Sequence, residues 1–254
     1  MHKPWSIIAA SALAARAAAP PGDEYCGSKT PAFFLAGDST TAYDGGWGDG
    51  FLAPLISPAW GVNIGQSGAT TVSYIRGGNW SDITTHLRDN ADEYECYVTI
   101  SFGHNDQKAE NNVTFETYQT NLINFANEVK ALGGTPLLTS SLTRRAIPAG
   151  ADQDNNATDS LHDQRLAAIA AAAATNSTVI DLNAASLAYV DAIGKTAAWA
   201  YNWNGTDTTH LNPRGTVVFG RMVADLVVRA EPCLGRWFTP NETLSYAIWN
   251  GLAA

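Results

Sequence analysis

Two short polar segments of the chain carry residue types that catalyse acyl transfer. Gly37-Asp38-Ser39-Thr40 offers a serine hydroxyl, which becomes a nucleophile once a base removes its proton. Asp207-Thr-Thr-His210 offers such a base, because a carboxylate three residues before a histidine can fix the imidazole tautomer and stabilise the imidazolium. Each segment has a plainer interpretation too, since Gly-Asp-Ser is ordinary turn chemistry and Asp-X-X-His can cap a helix or form a turn.

Acyl transfer also needs hydrogen-bond donors for the oxyanion of the tetrahedral intermediate. Asn105, in Gly103-His-Asn-Asp106, offers a side-chain amide, and the run Gly65-Gln-Ser-Gly68 offers a backbone N–H at Gly68. A glycine lets the backbone approach an oxygen closely because it has no Cβ. Ser39 can add its own N–H. Taken singly, Asn105 is equally a strand-end turn residue and Gly68 a position that needs positive φ.

The other four histidines are weaker candidates for the base. His2 lies in the N-terminal leader, His86 and His162 fall inside helical patterns, and His104 is held between Gly103 and Asn105 at a strand end. His210 is therefore the candidate base.

Alternating strand and helix patterns position these residues. Short apolar runs predict five buried strands, at Pro31–Ala36, Trp60–Ile64, Tyr97–Phe102, Thr135–Ser140 and Thr178–Leu182. Helical patterns fall at Trp47–Leu55, Phe115–Leu132, Asp159–Thr175 and Pro213–Ala230. This alternation predicts a three-layer α/β/α sandwich with a five-stranded parallel sheet. Ligands bind beyond the carboxyl ends of such strands, which is where the segments holding Ser39, Gly68 and Asn105 lie.

The N-terminus predicts a secreted protein. In residues 1–19, Lys3 precedes an apolar run and Ala15-Arg16-Ala17 offers small residues for cleavage, as in a secretory signal peptide. An ordinary N-terminal helix is the alternative. Residues 20–254 contain no linker or repeat and predict a single domain. Glycosylation sequons, which are typical of secreted eukaryotic proteins, begin at Asn79, Asn112, Asn156, Asn176, Asn204 and Asn241.

Composition excludes several classes of function. The formal net charge of −9 and pI of about 4.9 argue against nucleic acid as a partner. Beyond the leader, no apolar run approaches the roughly 18–20 residues of a membrane span, so we expect a soluble monomer. The three cysteines lack metal-ligand spacing. The pairing of Cys26, Cys96 and Cys233 stays open, with Cys26–Cys233 favoured because it would tie the termini together.

Taken together, the polar segments resemble the SGNH (GDSL-type) hydrolases over residues 32–230. Within that family the chain is most similar to the rhamnogalacturonan acetylesterase branch, through Phe33-Phe-Leu-Ala-Gly-Asp-Ser-Thr40, Gly46-Trp-Gly48 and Phe102-Gly-His-Asn-Asp106. Asn63 and Tyr74 keep the second segment in register and select Gly68 over Gly65. That segment departs from the family, since it reads Gly-Gln-Ser-Gly-Ala where Ala-Gly-Arg-Ser is expected.

The resemblance implies a flavodoxin-like sheet and removal of acetyl groups from plant-wall polysaccharide. It implies Ser39 as nucleophile, His210 as base and Asp207 as its orienting acid, with Ser39, Gly68 and Asn105 forming the oxyanion hole. No metal or organic cofactor is implied.

The substrate is predicted less directly. Trp199, Tyr201 and Trp203 precede the Asp207 segment and are candidates for lining the cleft, although core packing is an equal alternative. An acidic polysaccharide would favour positive charge near the site, and Arg76 is the basic residue near the polar segments described above. Two other functions stay open: a short-chain or lipase-like acyl hydrolase, and a non-catalytic carbohydrate-binding protein on the same fold.

Overall fold

The fold is a five-stranded parallel sheet between two layers of helices, which confirms the predicted fold class. The computed structural model describes residues 26–148 and 156–254, so the predicted signal peptide at 1–19 lies outside the described residues. The sheet order is β2-β1-β3-β4-β5. The strands are β1 Pro31–Gly37, β2 Trp60–Asn63, β3 Glu95–Ser101, β4 Thr135–Thr139 and β5 Thr178–Ile180.

Eight α-helices occur in the described part of the chain. They are α1 Gly48–Leu52, α2 Thr71–Arg76, α3 Asn79–Asn90, α4 Phe115–Ala131, α5 His162–Thr175, α6 Leu182–Trp199, α7 Pro213–Ala230 and α8 Glu242–Trp249. Short 3₁₀ turns occupy Ala109–Asn111 and Pro232–Trp237. None of the helices that the structure describes has the length and apolarity to cross a membrane.

The sheet separates two hydrophobic cores. Phe33 and Leu35 of β1 point into a core shared with α1, α6, α7 and α8, whereas Phe34 points into a core shared with α2, α3, α4 and α5. Every residue of β1 is buried. A strand covered on both faces needs apolar residues at every position, which explains the continuous apolar run that predicted it.

Several element boundaries differ from the sequence prediction. The predicted fifth strand runs to Leu182, but the strand ends at Ile180 and α6 begins at Leu182. Asp181 is the N-cap of this helix, and its side chain accepts a hydrogen bond from the Ala184 N–H. A short polar residue at that point starts a helix by satisfying a free N–H, so the strand cannot continue through it. Helices α2, α3, α6 and α8 were absent from the prediction.

A disulfide joins the segment before β1 to the segment after α7. Cys26, which precedes β1, is bonded to Cys233 in the 3₁₀ turn after α7. This is the pairing that the sequence analysis favoured. Cys96 is buried in β3 as a free thiol.

Helices α1 and α7 contact each other through their backbones. A Cβ atom on Gly50 would collide with the carbonyl of Thr216, and one on Gly220 would collide with the backbone of Gly50. Glycine at both positions therefore permits a separation that side chains would prevent. This contact matters for the site because α1 follows the Ser39 loop and α7 follows His210.

Candidate active site

The turn after β1 presents the Ser39 hydroxyl at the carboxyl edge of the sheet. The N–H groups of Thr41 and Ala42 both donate to the carbonyl of Asp38 at 3.0 Å, which closes the turn. The Asp38 carboxylate accepts from the Thr40 N–H at 2.9 Å and the Thr40 hydroxyl at 2.8 Å. Ser39 is 9% exposed, so the fold fixes its backbone while leaving its side chain within reach of solvent.

The structure brings Ser39, His210 and Asp207 together in one hydrogen-bonded chain. His210 Nε2 lies 2.8 Å from Ser39 Oγ, and His210 Nδ1 lies 2.7 Å from Asp207 Oδ2. The other Asp207 oxygen accepts from the N–H groups of Thr209 and His210, each at 2.9 Å. A nucleophile, a base and an orienting carboxylate at these distances form the arrangement that activates a serine hydroxyl.

Asp207 is held in its ionised form. Partial burial raises the pKa of this carboxyl group, but hydrogen bonds from the backbone and side chain of His210 and from the Thr209 N–H outweigh that effect. The pKa therefore lies below the usual value for aspartate. A carboxylate that stays charged favours the imidazolium that His210 becomes when it takes a proton.

The three predicted oxyanion donors lie at one cavity. Ser39, Gly68 and Asn105 all line the same cavity. Gly68 has a φ of +75°, and a Cβ atom there would meet no atom within 4 Å. Glycine is therefore favoured at this position by the positive φ and not by a lack of space. Within the described residues, the N–H groups of Ser39 and Gly68 have no protein acceptor. These two N–H groups are thus available to a ligand.

Most of the side chains that line the cavity around Ser39 are of polar type. Its volume is about 430 Å³, and its walls include Asp44, Ser67, His104 and Thr209 in addition to the triad and the donors. Trp203 is the one large apolar side chain among the described residues that line it. A small acyl group attached to a polar body fits such walls better than a long hydrocarbon chain does.

Only one of the three aromatic candidates for substrate contact lines the cavity. Tyr201 is 1% exposed and belongs to the core, where its hydroxyl lies 2.9 Å from that of Tyr189. Trp199 is exposed at the end of α6 and is absent from the cavity walls. Tyr201 and Trp199 therefore do not line the cavity, in contrast to the prediction: Trp199 is still part of helix α6, and the Tyr201 side chain packs in the core. Trp203 lies where the sequence placed it.

The positive charge of the cavity comes from residues that sequence reasoning missed. Lys108 and Arg144 line it, whereas Arg76 is exposed at the end of α2 and does not. Arg144 is partly buried and donates to the Ser160 hydroxyl at 2.7 Å. No carboxylate of the described residues forms an ion pair with Lys108 or Arg144. The signal was available, since Arg144 follows the fourth strand and Lys108 follows the third.

Arg145 anchors the loop that carries His210. Its side chain is 1% exposed and donates to Asn202 Oδ1 at 2.6 Å and to the His210 carbonyl at 2.7 Å. Its backbone N–H donates to the Thr208 carbonyl at 2.9 Å. Burial lowers the pKa of the guanidinium to about 10, against an attraction to Asp207 that raises it. The His210 loop is thus fixed to the segment after β4 by both the backbone and the side chain of Arg145.

Two other titratable groups near Ser39, Asp38 and His104, are buried. Burial raises the pKa of Asp38 to about 6, although the hydrogen bonds from Thr40 oppose the shift. Burial also lowers the pKa of His104 to about 3. Its Nε2 lies 2.8 Å from the Leu142 carbonyl, so this nitrogen carries the proton of a neutral imidazole. His104 is consequently a structural group beside the cavity and not a second base.

The asparagines of the six predicted glycosylation sequons differ in exposure. Asn79 is half-buried at the start of α3. The other five are exposed: Asn112, Asn156, Asn176, Asn204 and Asn241.

No group of three or more His, Cys, Asp or Glu side chains in the described ranges is arranged to hold a metal ion.

Known proteins resemble this chain in sequence and fold. The GDSL-like Lipase/Acylhydrolase family matches residues 35–217. Rhamnogalacturonan acetylesterase RhgT of Bacillus subtilis is 28% identical over 211 residues, which cover 76% of this chain and 87% of that protein.

Two solved structures share the fold at low sequence identity. Protein YxiM of Bacillus subtilis aligns with a TM-score of 0.67 at 19% identity, over 82% of this chain but only 58% of the YxiM chain. The acetylxylan esterase Axe2 of Geobacillus stearothermophilus aligns with a TM-score of 0.57 at 17% identity, over 80% of this chain and 94% of Axe2.

Proposed function

Because the chain belongs to the GDSL-like lipase/acylhydrolase family, we propose that this ester hydrolase is a secreted acetylesterase of acidic plant cell-wall polysaccharide. The family makes the chain a carboxylic ester hydrolase, which removes the non-catalytic binding protein from the alternatives. The substrate, the secreted location and the catalytic role of each site residue are what we propose.

In the proposed mechanism Ser39 is the nucleophile. His210 Nε2 takes the hydroxyl proton across the 2.8 Å contact while Oγ attacks the acetyl carbonyl. The N–H groups of Ser39 and Gly68 and the Asn105 amide stabilise the oxyanion. His210 then returns the proton to the departing sugar oxygen. Water, activated by the same imidazole, releases acetate from Ser39, and Asp207 stabilises the imidazolium in both steps.

The observation that carries the substrate proposal is the position of two cations beside the triad, neither of which forms an ion pair with a carboxylate of the described residues. The protein has a formal net charge of −9, yet Arg144 and Lys108 line the wall beside Ser39. Burial lowers the pKa of the Arg144 guanidinium, and the attraction of the Asp38 carboxyl group opposes this shift without forming an ion pair. A substrate carboxylate, such as that of a uronic acid, would supply such an ion pair. The polar walls argue against the lipase-like alternative.

A second cavity beside the first gives room for a polymer. Its volume is about 400 Å³, and Lys108 lines both cavities. Phe115 stands at its wall with 49% of its surface exposed, next to hydrogen-bonding groups of Thr114, Ser160 and Gln164. An apolar ring face among polar groups is suited to a sugar unit. Neighbouring sugars of a bound polysaccharide are therefore proposed to occupy this cavity.

Secretion is proposed on independent grounds. Residues 1–19 resemble a signal peptide, and five exposed sequons would accept glycans in a secretory pathway. The Cys26–Cys233 disulfide requires an oxidising compartment to persist.

The test is acetate release by the purified protein from a panel of substrates. The panel contains acetylated rhamnogalacturonan, acetylated xylan, p-nitrophenyl acetate and p-nitrophenyl esters of long acyl chains. We expect release from the acidic polysaccharide and from p-nitrophenyl acetate. Release from the p-nitrophenyl ester alone, or a preference for neutral xylan, would overturn the substrate proposal. A matched Arg144→Gln variant should lose activity on the acidic polymer and retain it on p-nitrophenyl acetate.

A further inference from the structure

The Asn105 carboxamide has a partner of fixed polarity at each end. Its Nδ2 donates to the Ala69 carbonyl at 3.0 Å, and its Oδ1 accepts from Lys108 Nζ at 2.8 Å. A backbone carbonyl can only accept and an ammonium can only donate. The amide therefore has one acceptable orientation, since the flipped one would place two donors and two acceptors face to face.

This orientation leaves one N–H of Asn105 for a ligand. The amide nitrogen carries two hydrogens, and the Ala69 carbonyl uses one of them. Asn105 is 4% exposed and lines the Ser39 cavity. The remaining N–H is therefore the group that can serve as an oxyanion donor.

The segment that carries Lys108 is held in a closed turn. The Lys108 backbone N–H donates to the Asn105 carbonyl at 3.1 Å, and the Asn111 side chain donates to the same carbonyl at 2.8 Å. No carboxylate of the described residues competes for the Lys108 ammonium. A positive charge on the amide oxygen also withdraws electrons from the amide, which strengthens its N–H as a donor.

We propose that Lys108 is a positioning residue of the oxyanion hole, and that its ammonium orients and polarises the Asn105 amide toward the tetrahedral intermediate. The proposal rests on the function proposed above for Asn105. Lys108 acts on the reaction through Asn105 and not by touching the acetyl group.

The first test compares Lys108→Met with Lys108→Arg on p-nitrophenyl acetate. This substrate has no carboxylate, so loss of a direct contact to an acidic sugar cannot affect the result. We expect Lys108→Met to lower kcat roughly tenfold, as for loss of one hydrogen bond to a charged group. KM should stay within about twofold, because the donor acts on the transition state. Lys108→Arg should restore most of the rate, and Lys195→Met, at an exposed lysine, is the matched control.

The second test repeats Lys108→Met in an Asn105→Ala background. Asn105→Ala alone should lower kcat by about 10²–10³, the usual effect of one oxyanion donor. If Lys108 acts through Asn105, its substitution should then change kcat by less than about twofold. An equal loss in both backgrounds, an effect on KM alone, or an unchanged kcat in Lys108→Met would overturn the proposal.

The substrate proposal and the Lys108 proposal can be refuted independently of each other. A wild-type enzyme that cleaves p-nitrophenyl acetate but no polysaccharide refutes the substrate and leaves the Lys108 comparison complete. Asn105→Ala with wild-type kcat refutes the role of Asn105, and the role of Lys108 with it. Thermal unfolding of each variant, which should match that of the wild type, separates lost positioning from lost folding.

Discussion

Ser39 Oγ and His210 Nε2 lie 2.8 Å apart although 171 positions separate the two residues in the chain. Neither residue is held by its sequence neighbours alone. The turn that carries Ser39 is tied to β3, because the Asp38 N–H donates to the Ser101 carbonyl at 3.3 Å, and the His210 loop is tied by Arg145 to the segment after β4. The contact therefore forms only when distant segments at the carboxyl edge of the sheet are in place.

Ser39→Ala should abolish ester hydrolysis without unfolding the protein. The substitution removes only Oγ, whose hydrogen-bond partner is His210, so the packing of β1 is unaffected. Loss of the nucleophile of a serine triad lowers kcat by roughly 10⁶-fold in serine proteases. Steady-state hydrolysis of p-nitrophenyl acetate measures the loss, and far-ultraviolet circular dichroism checks the fold. A variant with more than a few per cent of wild-type turnover would remove Ser39 from its proposed role.

Asp38→Asn should flatten the pH dependence of stability between about pH 4 and 6. Burial raises the pKa of Asp38 from 3.8 to about 6 in the folded protein. Its stabilising contribution is thus full below the unfolded pKa and is lost as pH rises through the folded pKa. At 1.36 kcal/mol per unit, the wild type should lose roughly 3 kcal/mol over this range that the variant retains.

Urea unfolding at several pH values measures that difference. Asp92→Asn, at an exposed carboxylate, is the control and should follow the wild-type curve. Parallel pH profiles for wild type and Asp38→Asn would show that Asp38 ionises in the fold as it does in the unfolded chain.

Cys26→Ser should destabilise the protein while leaving kcat unchanged. The disulfide to Cys233 closes a separation of 207 residues and lies away from the walls of the Ser39 cavity. Removing a native disulfide typically costs about 2–5 kcal/mol, largely by freeing the unfolded chain. Thermal unfolding should show the same loss for Cys26→Ser and for the double variant with Cys233→Ser. A disulfide mapped to Cys96 would contradict this expectation.

Phe115→Ala should impair hydrolysis of polymer and spare small esters. Its half-exposed ring lines the second cavity and not the one around Ser39. Loss of an aromatic contact worth about 1 kcal/mol corresponds to a roughly three- to tenfold drop in kcat/KM for acetylated polysaccharide. Tyr246→Ala, at an exposed aromatic residue of α8, is the matched control. An equal loss on p-nitrophenyl acetate would place the effect outside polymer binding.

The sequence predicted the sheet and the positions of the triad because both depend on local patterns. Buried strands require continuous apolar runs, and the residues that follow parallel strands must meet at one edge. Ser39 and Asn105 are found in this way. Asp207 and His210 are found because a carboxylate can reach an imidazole three residues away.

The remaining parts of the site depend on contacts between distant segments, which no local pattern records. Arg145 is a surface residue by type, yet three polar atoms of the His210 loop and its neighbours surround it in the interior. Tyr201 and Trp203 are two positions apart and equally aromatic, but one packs in the core and the other lines the cavity. Their difference arises from the path of the loop between α6 and α7.

The backbone contact between Gly50 of α1 and Gly220 of α7 has a consequence for how the enzyme loses activity on heating. The helix after the nucleophile and the helix after the base touch without intervening side chains, so no rotamer change can absorb a small displacement. We therefore expect a small displacement of α7 against α1 to disturb the segments that carry Ser39 and His210. Activity should then be lost on heating before the sheet unfolds, which hydrolysis and circular dichroism recorded over one temperature ramp would test.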